Sequence, residues 1–295
     1  MLAAALLGSP VDSATQVPAS AEHQVFRVER RGLIAFLKIA SDVHVKPELA
    51  VLQLLAARGV PVPVIEAADP DGAHTGIPCA LIRDVGGIPM SHDSPEFATT
   101  GQILRQVHEI GLEGYGSLTC GPAGLHGQDD AWQDSVEQRV QGLEPVAEAG
   151  LIDPGLLASA ITAVEDNASV LNAPKPGRLL HGDFHPRHVY VEGTRITGII
   201  DWGDTSSGDP LYDFGRILHS AILDKDLSFG IESVKLVRQT YGEAPWLQDD
   251  SVRQLLTYGV IFTLSAMRSE FAGGAPWPPW WPAQAAGLAT MLDAL

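Results

Sequence analysis

The feature that most constrains this chain is a short β-rich interruption inside an otherwise helical second half. Leu179-Leu180, Val189-Tyr190-Val191 and Ile196–Ile200 read as strands, and Glu192-Gly193-Thr194-Arg195 supplies the turn between the last two. Around them, residues 97–110, 132–149, 155–171 and the stretch from Asp213 to about 270 carry helical patterns, followed by a Pro/Trp segment, APWPPWWPAQ. A mainly helical unit carrying a small hairpin is the expectation for this part.

The chain before residue 85 has the opposite bias. HQVFRVERRGLIAFLKIA (residues 23–40) reads as a hairpin turning at Arg30-Arg31-Gly32. KPELAVLQLLAARG reads as a helix, with Pro47 near its start, Leu49, Leu52 and Leu55 on one face, and Gly59 as its stop. Val62–Ile65 and Cys79–Ile82 are further strands, separated by the turn-rich DPDGAHTG. The order is β-β-α-β-β, and Gly86-Gly87 is a natural junction. At 295 residues the chain exceeds a typical single domain. We therefore expect an α+β protein of two lobes: residues 1–85 with a small antiparallel sheet, and residues 86–295, larger and mainly helical.

Composition narrows the partners. There are 19 Lys+Arg against 36 Asp+Glu, a formal charge of −17, and no basic cluster, which disfavours nucleic acid. An acidic field attracts cationic small molecules, although solubility accounts for it more simply. Cys79 and Cys120 are too few for a disulfide scaffold or a cysteine zinc site and suit a reducing cytosol. Met1–Leu7 has the apolar character of a signal-peptide core, but it lacks a positive n-region and is broken by Gly8-Ser-Pro10. No run approaches the length of a membrane span. The expectation is a cytoplasmic protein with no membrane partner; its oligomeric state is not written in these patterns.

The chemistry lies in the β interruption. His181-Gly182-Asp183-Phe184-His185-Pro186-Arg187-His188 is the densest polar constellation, and Asp201-Trp202-Gly203-Asp204 follows it. Both carboxylates, Asp183 and Asp201, come just after apolar strand-like residues, where a chain leaves a sheet and exposes a side chain. One could act as a base and the other could hold a metal. Phosphoryl transfer asks for such a set: an Asp near the acceptor hydroxyl, a ligand five residues later, and a second Asp on Mg²⁺. His181, His185 and His188 also have a spacing open to zinc.

HGDFHPRHVYVEG…ITGIIDWGDTSSGDPLYDFGR resembles the core of the aminoglycoside phosphotransferase family, within the protein-kinase-like superfamily. The resemblance extends in order from about residue 25 to 220. Lys38 in FLKIA matches the strand lysine and Glu48 in PELAVLQLL its helix partner. Ala80–Gly87 resembles the hinge, and Leu104–Ile110 a characteristic helix end.

The resemblance implies a bilobal kinase-like fold and transfer of the γ-phosphoryl of ATP, or GTP, to a hydroxyl of a small molecule, plausibly an antibiotic such as an aminoglycoside or macrolide. It implies that Asp183 positions or deprotonates the hydroxyl, and that Asp201 chelates Mg²⁺. Lys38, paired with Glu48, would neutralise the phosphates, and backbone groups of Arg83 and Val85 would face the purine. Two departures stand out. His188 replaces the family's Asn as second metal ligand, as it does in the macrolide kinase branch, and Ser20-Ala-Glu22-His23-Gln24 replaces a glycine-bearing phosphate loop.

Other readings stay open. A metabolic kinase for choline, homoserine or a sugar is one, with the Trp277, Trp280 and Trp281 cluster as an aromatic cage or, more simply, a C-terminal clasp. A nucleotide-binding pseudokinase is another, motivated by the two departures. Asp204, Asp209 and Glu270 are candidate contacts to a cationic substrate. Asp213 is expected to cap the helix after it and hold the loop.

Overall fold

The computed structural model describes residues 2–17, 23–122, 124–171, 173–247, 251–274 and 280–295. In chain order come α1 (Leu2–Leu7), β1 (Ser13–Val17), β2 (Gln24–Arg30), β3 (Leu33–Ile39), α2 (Asp42–Ala57), β4 (Ile65–Asp69), β5 (Cys79–Arg83) and β6 (Ile88–Pro89). The middle of the chain forms α3 (Thr100–His108), β7 (Gly111–Leu112), β8 (Tyr115–Gly121), β9 (Gly124–Asp129), α4 (Trp132–Val140), α5 (Glu144–Glu148) and α6 (Pro154–Asp166). The rest comprises β10 (Gly177–Leu180), β11 (Val189–Glu192), β12 (Arg195–Ile199), β13 (Ser206–Gly208), α7 (Leu211–Asp224), α8 (Leu227–Tyr241), α9 (Val252–Ala272) and α10 (Trp281–Asp293).

These elements form two compact units. Where the sequence suggests a single cut after residue 85, the units interleave. The first takes Met1–Pro89, Thr119–Leu125 and Arg187–Gly203, and the second takes Met90–Leu118, His126–Pro186 and Asp204–Leu295.

The first unit is built on an antiparallel sheet of order β1-β2-β3-β5-β4 among the described residues. Arg31 (φ 49°) and Gly32 (φ 77°) turn β2 into β3, the left-handed pair that a tight hairpin favours. Because successive side chains alternate across a sheet, its two faces carry different residues. Val28, Leu37, Cys79 and Leu81 pack with Ala3 of α1 on one face. Ala80 packs with Ala40, Val45 and Leu49 beside α2 on the other. Lys38, between Leu37 and Ile39, falls on the α2 face.

Several local differences from the sequence reading have plain causes. The apolar run Leu2–Leu7 forms a helix that packs on the sheet through Leu2, Leu6 and Leu7. β1 carries no apolar alternation and is defined by its pairing to β2. α2 starts at Asp42, so Pro47 lies inside the helix rather than near its start. β4 begins at Ile65 rather than Val62, since Pro61 and Pro63 have no N–H for a ladder. The turn after β4 closes as expected, with the Asp69 carboxylate accepting the N–H groups of Ala73, His74 and Thr75 at 2.7–2.9 Å. The hairpin of β11 and β12 pairs with β6, and a Cβ at Gly87 would lie 2.4 Å from the Val191 carbonyl.

In the second unit, α7 packs against α8 and α9 and buries Phe214, Ile217, Leu218 and Ala221. The strands β7, β8 and β9 were not legible in the sequence: β7 has only two residues, and glycines interrupt any apolar alternation in β8 and β9. The helical stretch 132–149 is broken at Gly142 (φ 72°) and the long one after Asp213 at Gly242 (φ 73°), both left-handed conformations that favour glycine. The Pro/Trp segment leads into α10, whose Trp281 is buried and donates through Nε1 to the Leu151 carbonyl at 2.8 Å, as a clasp would. Trp277 lies outside the described residues. Among those residues, no helix is long and apolar enough to cross a membrane.

Candidate active site

The sequence-selected residues fall into two clusters, one in each unit. In the first unit, the alternation of β3 aims Lys38 at α2, where its Nζ lies 2.7 Å from Glu48 Oε2. Both side chains are largely buried. Burial pushes the Glu48 carboxyl above its ordinary range, against the opposing pull of Lys38.

Asp201 follows β12 and is the first residue of Asp-Trp-Gly. Its φ of 64° is left-handed, a conformation that few non-glycine residues adopt and that marks functional turns. Its side chain is 51% exposed, and Oδ2 lies 3.6 Å from His188 Nε2. His188 sits at the end of a short 3₁₀ turn, where its carbonyl accepts from Ile200 N–H at 2.9 Å. Gly203 ties the set together: a Cβ there would be 3.1 Å from Lys38 Nζ and 3.7 Å from Asp201 Oδ1. Lys38, held by Glu48, and Asp201 therefore both approach Gly203, where a side chain would crowd the Lys38 ammonium.

The hinge residues are also placed. Arg83 N–H donates to the Val64 carbonyl, and its Nε pairs with Glu66. Val85 packs over β12, where a Cβ on Gly198 would lie 2.4 Å from its Cγ1. Ser20, Ala21 and Glu22 of the altered phosphate loop lie outside the described residues. His23 is described: its ring sits edge-on to His44 at 5.7 Å, and burial, with Lys38 and His44, pulls its pKa down to about 4.

In the second unit, Asp183 lies on the loop after β10. The loop can turn there because Gly182 (φ 84°) has no Cβ; one would lie 1.9 Å from the Asp204 carbonyl. The buried Asp213 carboxylate accepts from His181 N–H and Gly182 N–H, each at 2.9 Å, and lies 3.0 Å from His108 Nε2. His108 in turn contacts Tyr241 Oη at 3.1 Å. The expected hold on the loop is therefore present, but capping α7 falls to a different residue. Asp209 Oδ1 accepts from Leu211 N–H at 3.0 Å, while its Oδ2 accepts from Tyr258 O–H at 2.6 Å. Asp209, grouped with substrate contacts in the sequence, thus has both oxygens engaged inside the unit, and burial raises its pKa to about 6.

Arg216 was missed. Its Nε pairs with Asp183 Oδ1 at 2.5 Å, and its guanidinium lies 4.4 Å from the centre of the Phe262 ring. It stands one helical turn after Asp213, and that spacing on α7 was the available signal. Asp204 is exposed. Glu270 accepts from Trp280 Nε1–H at 3.1 Å, and burial raises its pKa. Of the three histidines at zinc-like spacing, His181 is fully buried and its Nδ1 accepts from Asp183 N–H at 3.2 Å.

A backbone-anchored carboxylate, a buried Lys–Glu pair and an exposed acid on a left-handed turn form the order of groups seen in phosphoryl-transfer enzymes. Residues 13–248 match the profile described as the phosphotransferase enzyme family. The chain belongs to that family. It is a kinase acting on small molecules, with an alcohol group as acceptor, and its α+β fold is the kinase-like one that the resemblance implied.

An aminoglycoside 3'-phosphotransferase from Niallia circulans is 25% identical over 268 residues, covering 87% of this chain and 95% of that protein. A homoserine kinase from Rhodopseudomonas palustris is 24% identical over 200 residues, covering 65% of this chain, which spans only 57% of that kinase. In structure, a thermostable mutant of the aminoglycoside phosphotransferase APH(4)-Ia superposes with a TM-score of 0.70 at 19% identity, covering 99% of this chain and 96% of that one. Further mutants of that enzyme have been crystallised with ADP or AMP-PNP together with hygromycin B.

Proposed function

We propose that the two clusters serve one reaction: transfer of the γ-phosphoryl group of ATP or GTP, as its Mg²⁺ complex, to a hydroxyl of a small molecule in the cytoplasm. The observation that carries this reading is the approach of the Glu48-paired Lys38 and of Asp201 to the same glycine, Gly203. A cation held by a buried carboxylate beside an exposed carboxylate suits a phosphate chain and its metal. Lys38 neutralises the α/β-phosphates, and the Arg83 carbonyl and Val85 N–H face the purine. Asp183, oriented by Arg216 and the loop, receives the acceptor hydroxyl.

The donor set fits Mg²⁺. Asp201 offers an exposed carboxylate oxygen, and most of the shell of such an ion is ordinarily phosphate and water. The His188 imidazole is the poorer donor, and its role is that of an auxiliary ligand. When bound, the ion neutralises phosphate charge.

Antibiotic and metabolic acceptors differ in charge. A polycationic aminoglycoside calls for exposed carboxylates; Asp204 is the exposed candidate, whereas Glu270 already holds Trp280. A choline-type cage needs several exposed rings, whereas Trp281 is buried and Trp280 is 51% exposed.

The test is a thermal-shift series with ATP and GTP, each with and without Mg²⁺. Binding to the folded state raises the midpoint with ligand excess over Kd. A Mg²⁺-dependent rise that disappears in Asp201→Ala is expected and names the donor. No rise with either nucleotide at millimolar concentration rejects the reading in favour of a domain without nucleotide chemistry.

A further inference from the structure

A chain with 36 acidic and 19 basic residues has carboxylates in excess for its arginines. Two half-buried arginines of the second unit nevertheless make no ion pair with any described residue: Arg139, in the last turn of α4, and Arg268, near the end of α9. Arg139 Nη1 donates to Tyr212 Oη at 3.1 Å, and its guanidinium lies 4.7 Å from the centre of that ring. Its Nε is buried with no hydrogen-bond partner among the described residues. Arg268 Nη1 donates to the carbonyl of Gln138, the residue before Arg139. Arg268 is thus held against the end of α4 that carries Arg139, and burial, with the Arg139 charge, lowers the pKa of Arg268.

Two adjacent, partly desolvated cations without a counter-ion are costly unless something binds them. The planar donor fork of arginine matches an oxyanion, and charge-assisted pairs of this kind are the strong ones. The location is informative too. Tyr212 and Arg216 are four residues apart on α7 and share a face. Phe262 touches both, with its ring centre 6.2 Å from that of Tyr212 and 4.4 Å from the Arg216 guanidinium. The unpaired arginines are thus separated from the Arg216–Asp183 pair by one layer of aromatic side chains.

We propose that Arg139 and Arg268 form an oxyanion site, distinct from the Asp183 loop, that binds a carboxylate or phosphate group. The ligand class is then a small phosphate or carboxylate anion rather than a polycation. The overall charge of −17 favours cations at long range, but the two arginines decide what is held at contact distance.

The experiment follows the side-chain Nε–H resonance of Arg139 in the isotope-labelled full chain, assigned by its loss in Arg139→Lys, while inorganic phosphate and, separately, acetate are titrated in. A saturable shift is expected. In Arg268→Gln the apparent affinity should fall roughly tenfold, the loss of about one charge-assisted contact. The phosphate and acetate arms separate the two sources of the anion. A resonance that moves with neither anion, or moves equally in Arg268→Gln, overturns the proposal. The Mg²⁺-nucleotide midpoint shift, measured on the same sample, reports the kinase reading separately. Its absence beside an intact Arg139 response rejects that reading alone, and its presence beside a silent Arg139 rejects the subsite alone.

Discussion

The two clusters achieve rigidity in different ways. In the first unit the decisive pair is short-range in sequence: Lys38 and Glu48 lie ten residues apart on neighbouring elements, and sheet alternation alone aims one at the other. In the second unit Asp183 is placed at long range. Its loop hangs from a buried carboxylate 31 and 32 residues further on, which also engages a histidine 105 residues away. The first arrangement tolerates a neighbouring exposed acid that is free to meet a ligand. The second uses a fully enclosed charge as a scaffold, so its weak point is stability as much as chemistry.

Four experiments break or sharpen that contrast. The largest effect is expected from Asp183→Ala, which should lower kcat by about 10²–10⁴-fold, the range for losing a positioned proton acceptor. Nucleotide affinity should stay near wild type, because the first cluster is unchanged. Near-normal turnover in steady-state assays would remove Asp183 from its proposed role.

Next comes Asp213→Ala, which strands two loop N–H groups and His108. Urea unfolding should show a loss of roughly 3–5 kcal/mol, as for breaking a buried charged network. A loss below about 1 kcal/mol would mean that the loop does not depend on this anchor.

The third concerns pH. The folded-state pKa of Asp209 is raised to about 6 from an ordinary 3.8, so the folded state favours the protonated form. Its contribution is fully present below the unfolded pKa and is lost as pH rises through about 6. Over that window the wild type should lose roughly 3 kcal/mol relative to Asp209→Asn, since a tenfold difference in proton affinity between folded and unfolded chains is worth about 1.4 kcal/mol. Parallel stability–pH curves for the two proteins would refute the burial-driven rise.

The smallest effect is expected for His188→Asn, which swaps an imidazole for an amide oxygen better suited to Mg²⁺. Turnover should stay within a few-fold of wild type. An inactive variant would show that the imidazole does something a metal ligand alone does not.

Legibility tracked the range of the interactions. The β-β-α-β-β pattern of the first unit was readable because apolar periodicity and turn residues are local signals, as at Leu49-Leu52-Leu55 and Arg31-Gly32. β7, β8 and β9 were not, because their glycines interrupt any apolar period and the strands are defined by their partners. Asp183 and Asp201 were selected as candidates through motif spacing, and Lys38 through the resemblance. Arg216 was missed because its meaning comes only from contact with Asp183, and Asp209 was assigned outward because nothing local reveals that Tyr258, 49 residues later, encloses it.

By itself, then, the sequence determined the fold class and the family and singled out the candidate phosphotransfer residues, since these rest on local periodicity and on chemistry that few residue types can perform. Only the tertiary structure decided which carboxylates are scaffold and which face outward, and which arginines are left without a counter-charge. Those properties depend on desolvation and on partners distant in the chain, and no local pattern specifies either.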